Sequence, residues 1–308
     1  MVFKQEYIVI ADRVQIRYYG IIIVVAMLIA AWVAARLAKR DGRDPDHVWG
    51  ALTWAIIPAI VLARLWYVLT PPSSLVAQGM DTAWFFQHFF DLQNGAIAIW
   101  SGGLNIFGAV VGGMIGAYIY MRRNHLPIGA WLDIAGVALP LGQAIGRWAN
   151  FVNQELYGKI TSLPWGITID STHRVVPYTS LVDYPVATSK FHPLFLYESI
   201  WNVLAFIVLL NIFLRNRSKL RYGDIFLLYL MQYSFIRFLL EFLKADVSYI
   251  PGTSINAAQA MTAVVFILAF VIFLYRQRSA PTVEEYLKAH PPVPAPAPAT
   301  KATSSKAA

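Results

Sequence analysis

The residues from Gly146 to Gly158, GRWANFVNQELYG, gather Arg147, Asn150, Asn153, Glu155 and Tyr157 directly behind the apolar run from Leu132 to Ile145. So polar a segment at the end of an apolar span is either an ordinary water-exposed loop or a place where chemistry is done, since functional side chains favour loops on rigid supports. A second set lies inside apolar sequence: Arg64, Asp133, Glu198, Arg237 and Glu241. A charge at the centre of a bilayer costs at least about 2.5 kcal/mol, so each is a functional candidate. Tyr233, Arg237 and Glu241 fall at i, i+4 and i+8, one above another on a single helical stripe that must face protein or water. That stripe reads either as an internal ion pair locking helices together or as an anion site in which Glu241 holds Arg237 in place. Arginine suits the second task because its planar fork stays charged and donates two parallel hydrogen bonds to a phosphate.

The elements that carry these groups are membrane spans. The chain has 308 residues, of which 57% are hydrophobic and 14% charged, and a mean hydropathy of +0.52. A soluble domain has about a quarter of its residues charged. Seven apolar segments reach the roughly 20 residues needed to cross a bilayer. They lie near Tyr18 to Arg36, Val48 to Leu69, Gly95 to Met121, Ile128 to Ile145, Pro193 to Leu214, Ile225 to Leu243 and Ala257 to Tyr275. The net charge of +8 sits in short clusters at alternate span ends: Arg36 to Arg43, Arg122 and Arg123, Arg215 to Arg221, and Arg276 with Arg278. That pattern is one of topology and anionic-lipid contact, not of a nucleic-acid surface. It places those ends in the cytoplasm, and the N-terminus and the loop after Gly146 outside. The N-terminal sequence lacks the pattern of a cleavable signal, so the first span is expected to be retained. Cysteine is absent, which excludes disulfides, thiolate metal sites and a protein cysteine nucleophile.

The expected architecture is therefore an all-α polytopic membrane protein of about seven transmembrane helices with a small extracytoplasmic head. The membrane domain covers about 1–278, and the head, about 151–192, carries a short strand in WGITID. AWFFQHFFDL suits a short interfacial helix, and the Pro- and Ala-rich sequence from 279 to 308 reads as a disordered cytoplasmic tail. Gly108, Gly112 and Gly116, four apart, suit close helix packing; Gly102 and Gly103 are a weaker signal of room for a lipid headgroup.

Taken together, these residues resemble the prolipoprotein diacylglyceryl transferase family. GRWANFVNQELYG is similar to that family's signature G-R-x-x-N-F-x-N-x-E-x-x-G. Tyr19 with Gly20, Arg64, WSGGLNIFGA, His192 with Pro193 and LYE, and Tyr233, Arg237 and Glu241 match in order, from about Tyr19 to about Tyr275. One departure stands out: Phe107 occupies the place of a histidine proposed as general base in some members, and His192 is the nearest replacement by type.

The resemblance implies transfer of the diacylglyceryl group from phosphatidylglycerol to the thiol of a prolipoprotein lipobox cysteine. A thioether forms and glycerol phosphate leaves. It implies a bacterial cytoplasmic membrane and no cofactor, and no metal is expected, since the acidic residues are scattered over different spans without a ligand spacing. The chemistry fits, because the leaving phosphate gains negative charge and the thiol, of reference pKa about 8.5, attacks only as thiolate, so fixed positive charge favours both. Under this reading Arg147 binds the lipid phosphate and Arg237 stabilises the leaving phosphate or the thiolate. Asn150 and Asn153 donate to headgroup oxygens or shape the loop. Glu155, Glu198 and Glu241 orient arginines, with Glu155 a second candidate base. Tyr19 and Tyr233 line the lipid site, which Arg64, His192 and Glu198 extend, and Gly158 permits a turn. A transporter or another lipid-processing membrane enzyme is the alternative, since intramembrane charge also marks transport pathways.

Overall fold

A computed structural model of the chain describes residues 2–3, 7–10, 14–99, 102–250 and 252–290. Three short antiparallel strands come first, Val2–Phe3, Tyr7–Ile10 and Val14–Arg17, with Tyr7 opposite Arg17 and Ile10 opposite Val14. Ten α-helices follow among the described residues: α1 Tyr18–Arg40, α2 Asp46–Leu69, α3 Ser73–Val76, α4 Thr82–Gln87, α5 Ile106–Arg123, α6 Ile128–Val152, α7 Leu194–Arg215, α8 Asp224–Leu240, α9 Ala257–Ser279 and α10 Val283–Ala289. Five of them, α1, α2, α6, α7 and α9, are long and apolar enough to cross a membrane. The other two expected spans, α5 and α8, are helices of 18 and 17 residues.

α6 is the axis of the molecule. Half of its apolar window is buried, against 6% for α9, because α1, α7 and α8 pack around it. The centre of that packing is Ala38, Ile134, Val137, Leu209 and Ile225, each 3% exposed or less. The N-terminus of α8 has no cap of its own, since Gly223 sits there at φ +99°. Asp133 of α6 supplies the cap from across the interface, accepting from the Gly223, Ile225 and Phe226 amides at 2.9, 3.0 and 3.4 Å. A buried carboxylate at the positive end of a helix satisfies the unpaired amides there, so Asp133 is structural.

α2 and α5 form a second unit that packs mainly on itself. A Cβ on Gly108, Gly112 or Gly116 would stand 2.1–2.2 Å from the carbonyl oxygens of Leu62, Pro58 and Trp54 in turn. The glycines thus let two antiparallel backbones touch at every helical turn, the packing expected of them. Two boundaries differ from expectation. α5, the expected third span, begins at Ile106 and not at Gly95, because the described residues 95–99 and 102–105 lie outside any α-helix and the Asn105 cap, whose side chain accepts from the Phe107 amide, starts the helix. The fourth span runs on to Val152, so that GRWANFV is helix and only NQELYG is loop.

The head segment between α6 and α7 closes over its own core of Tyr157, Ile169, Tyr178 and Phe191. Arg174, 7% exposed, ties it by donating to the Ile169 and Tyr184 carbonyls. The strand expected in WGITID is only an isolated bridge, Ile167 to Phe191, beside a second from Ile160 to Phe191. The expected helix in AWFFQHFFDL is α4, capped by Asp81. The tail departs from the expectation of disorder from residue 279 onward. α10 carries a capping box between Thr282 and Glu285, and the Val283 amide donates to the Leu220 carbonyl at 2.7 Å. The rest of the expected tail, 291–308, lies outside the described residues.

Candidate functional site

Arg147 lies in the last turns of α6, Glu198 in the first turns of α7 and Arg237 in the last turn of α8, so three neighbouring helices bring their ends to one level. Glu198, 1% exposed, is shared: one carboxylate oxygen lies 2.7 Å from Arg147 Nη2 and the other 3.0 Å from Arg237 Nη1. Arg237 Nη2 meets Glu241 at 3.0 Å, and Glu241 also accepts from Asn256 Nδ2 and faces Lys244 at 3.7 Å. Arg147 further donates to Asn150 Oδ1 at 3.2 Å and to the Tyr233 hydroxyl at 3.1 Å. Both guanidinium side chains remain 19–20% exposed while the two carboxylates between them are covered. Within this ion-paired set two carboxylates serve three cations, which leaves positive charge over for an anionic group entering from the open side.

The stripe Tyr233, Arg237 and Glu241 therefore faces protein: Arg237 pairs with Glu241 along α8 and, through Glu198, ties α8 to α7. Glu155 differs from expectation. Its partner is not an arginine but Asn150, whose Nδ2 donates to it at 2.8 Å, so it reaches Arg147 only through that amide. Tyr19 stands within electrostatic reach of Glu155 and Arg147. Asn153 ends α6 and, with Glu155, borders an open cleft beside the cluster. Gly158 is required by close approach, since a Cβ there would stand 2.6 Å from His192 Cβ and 2.9 Å from the Leu243 carbonyl.

Arg64 and His192 are engaged elsewhere. Arg64, 6% exposed, donates to the carbonyls of Gly95, Ala96, Gly102 and Gly103 at 2.6–3.2 Å. It fastens the irregular chain before α5 onto α2, and Gly103, at φ +67°, is held against it: a Cβ there would fall 2.6 Å from Arg64 Nη1. His192 contacts the Tyr197 hydroxyl at 3.2 Å through Nδ1, and that hydroxyl accepts from Trp165. Phe107 is 51% exposed and packs against Trp66, on the outward side of the α2 and α5 pair.

The sequence reading missed Lys244, Asn256 and Tyr229. Lys244 is three residues beyond Glu241 and Tyr229 four before Tyr233, so the helical stripe already pointed at both. Tyr229 stacks on Tyr233 and accepts from Gln143 at 2.9 Å, continuing the polar seam along α8. Asn256, brought in as the cap of α9, had no such signal.

Comparison with known proteins finds that a family model described as prolipoprotein diacylglyceryl transferase matches residues 6–275. A protein of Chloroflexus aggregans named phosphatidylglycerol–prolipoprotein diacylglyceryl transferase is 38% identical over 285 residues, covering 87% of this chain and 88% of that one. Proteins of the same name from Pediococcus pentosaceus and Thermotoga maritima are 34% and 36% identical, covering 86% and 90% of this chain and 88% and 87% of theirs.

Proposed function

The chain belongs to the prolipoprotein diacylglyceryl transferase family, and on that premise we propose how its residues perform the transfer. The protein is a phosphatidylglycerol–prolipoprotein diacylglyceryl transferase, and family membership does not favour transport. The sulfur of a lipobox cysteine attacks the glyceryl carbon of phosphatidylglycerol that bears the phosphate. The carbon–oxygen bond breaks, a thioether forms, glycerol phosphate departs with the bonding pair, and the thiol proton passes through water to that departing phosphate. Arg147 receives the phosphodiester, and Arg237 meets the charge that grows on the leaving oxygen or on the thiolate. Glu198 holds both arginines at one spacing, and Glu241 holds Arg237. Asn150 connects Arg147 to Glu155, and Tyr19 and Tyr233 line the same pocket. The observation that supports this most is that two arginines from different helices converge on one buried carboxylate. Positive groups fixed before the reaction need no reorganisation when charge moves.

The membrane reading follows from the same distribution. α1, α2, α5, α6, α7, α8 and α9 are the seven spans, in the bacterial cytoplasmic membrane. The basic ends at Arg40, Arg123, Arg215 and Arg276 face the cytoplasm, and the N-terminus, head and arginine cluster lie on the outer side among membrane lipids. Phe107 cannot take a proton, so the reaction in this protein runs without a histidine at that place, its thiolate favoured by the arginines.

The test is a detergent preparation given phosphatidylglycerol and a synthetic lipobox peptide, read by glycerol phosphate release and by peptide mass. A diacylglyceryl mass gain lost with a Cys→Ser peptide and with Arg147→Ala is expected. Full activity in folded Arg147→Ala and Arg237→Ala proteins would overturn the assigned roles.

A further inference from the structure

Beside the arginine cluster lies a cleft of about 360 Å³, in the size range of ordinary ligand sites. Its lining comes from outside the long helices: Arg17 precedes α1, Asn153 to Tyr157 follow α6, His173 and Val175 lie farther along the segment between α6 and α7, and Lys244 and Asp246 follow α8. Its wall is fixed. Gly158 and Lys244 form a bridge, the Lys159 amide donates to the Leu243 carbonyl at 2.6 Å, and the Ala245 amide donates to the Tyr157 carbonyl at 3.2 Å. Its floor is also constrained, since Gln154 and Leu156 on either side of Glu155 hold φ +50° and +54°. Two short routes connect it to the arginines, from Glu155 through Asn150 to Arg147 and from Lys244 through Glu241 to Arg237.

The geometry points to this cleft as the seat of the acceptor polypeptide, for the few residues that follow the modified cysteine. This rests on the transferase reading above. A cysteine whose sulfur sits at the arginines leaves its apolar leader on the membrane side, so the polar chain after it exits where the spans have ended. An extended backbone presents alternating N–H donors and carbonyl acceptors, and the cleft offers both kinds of partner, Arg17 and Lys244 against Glu155 and Asp246. Leu156, Tyr157 and Val175 add apolar surface to the lining, and it is the two carboxylates, for which a lipid phosphate has no use, that favour a peptide. Asp246 and Arg17 are exposed and outside the arginine network, so they select among peptides without touching the reacting atoms.

Steady-state rates measure this with two lipobox peptides, bearing lysine or glutamate at the two positions after the cysteine. The variants are Asp246→Lys and, independently, Arg17→Glu. Asp246→Lys is expected to raise KM for the lysine peptide about tenfold and to lower it for the glutamate peptide. Arg17→Glu is expected to shift preference the other way, and Asp246→Glu to behave as the parent. kcat and the KM for phosphatidylglycerol stay unchanged. Unaltered peptide preference in both variants overturns the inference, as does a parallel rise in the KM for phosphatidylglycerol. Failure of the unsubstituted enzyme to modify either peptide would instead overturn the transferase reading.

Discussion

At the scale of single residues, Glu198 has the most to lose. Removing it leaves Arg147 and Arg237 facing each other across a buried site, and breaking a buried pair costs about 3–5 kcal/mol. Glu198→Ala should therefore lower the unfolding midpoint in detergent and cut transfer at least tenfold. Glu198→Gln, which keeps the shape, should retain more of the fold than of the activity. Gln154 offers a different test. It holds a left-handed backbone, for which a side chain costs about 1–2 kcal/mol, while its amide donates to Asp170 Oδ2 and accepts from the Asp170 amide, both at 2.7 Å. Gln154→Ala loses the bonds and keeps the strain, whereas Gln154→Gly loses both. The glycine variant should be the more stable by about 1 kcal/mol, and hydrogen exchange of amides 153–157 should rank parent, glycine, alanine from slowest to fastest. Arg64 shows why a charge in an apolar span misleads: the sequence shows its cost, but the four carbonyls that meet it come from chain 31 to 39 residues away. Burial also pushes the Tyr157 phenol up from its ordinary pKa, although the Val175 amide donating to its oxygen opposes this.

At the scale of elements, apolar length was enough to locate the helices, because a bilayer sets a minimum span that few other segments meet. Their ends were less legible. The polar residues of GRWANFV looked like loop, yet Arg147 and Asn150 are three apart, a helical spacing that lets one hold the other. The start of α5 was misplaced because glycine-rich apolar sequence reads as span whether or not it is helical. Asp133, a functional candidate only by its charge in an apolar span, caps α8. Asp133→Ala should cost about 1–3 kcal/mol, the penalty for unpaired buried amides, and leave both substrate KM values unchanged. Gly112→Leu should fail more severely, because the added carbon meets the Pro58 carbonyl, which is backbone and cannot turn aside. Loss of folded yield on size-exclusion chromatography is the readout.

For the whole molecule, the helical membrane class and the order of the long helices were readable, while the joins between units were not. Nothing periodic announced that α10 would fold back, since seven residues are too few for a hydrophobic pattern. Truncation after residue 290 is expected to leave activity and thermal midpoint unchanged. Truncation after Arg278 removes Val283, which is 6% exposed, and its bond to Leu220, and should lower the midpoint by several degrees while transfer persists.

The glycine contacts between α2 and α5 also bear on how the chain can be divided. α2 ends at Leu69 and α5 begins at Ile106, so a cut in the exposed stretch at 77–79 assigns the two faces of that seam to different polypeptides. Each fragment would then keep one half of a surface whose complementarity is built into backbone, and α1 against α6 would supply a second seam between the same two fragments. Co-expressed halves should find each other in the bilayer and restore activity. Gly112→Ala, whose added carbon meets the same Pro58 carbonyl, should abolish that complementation.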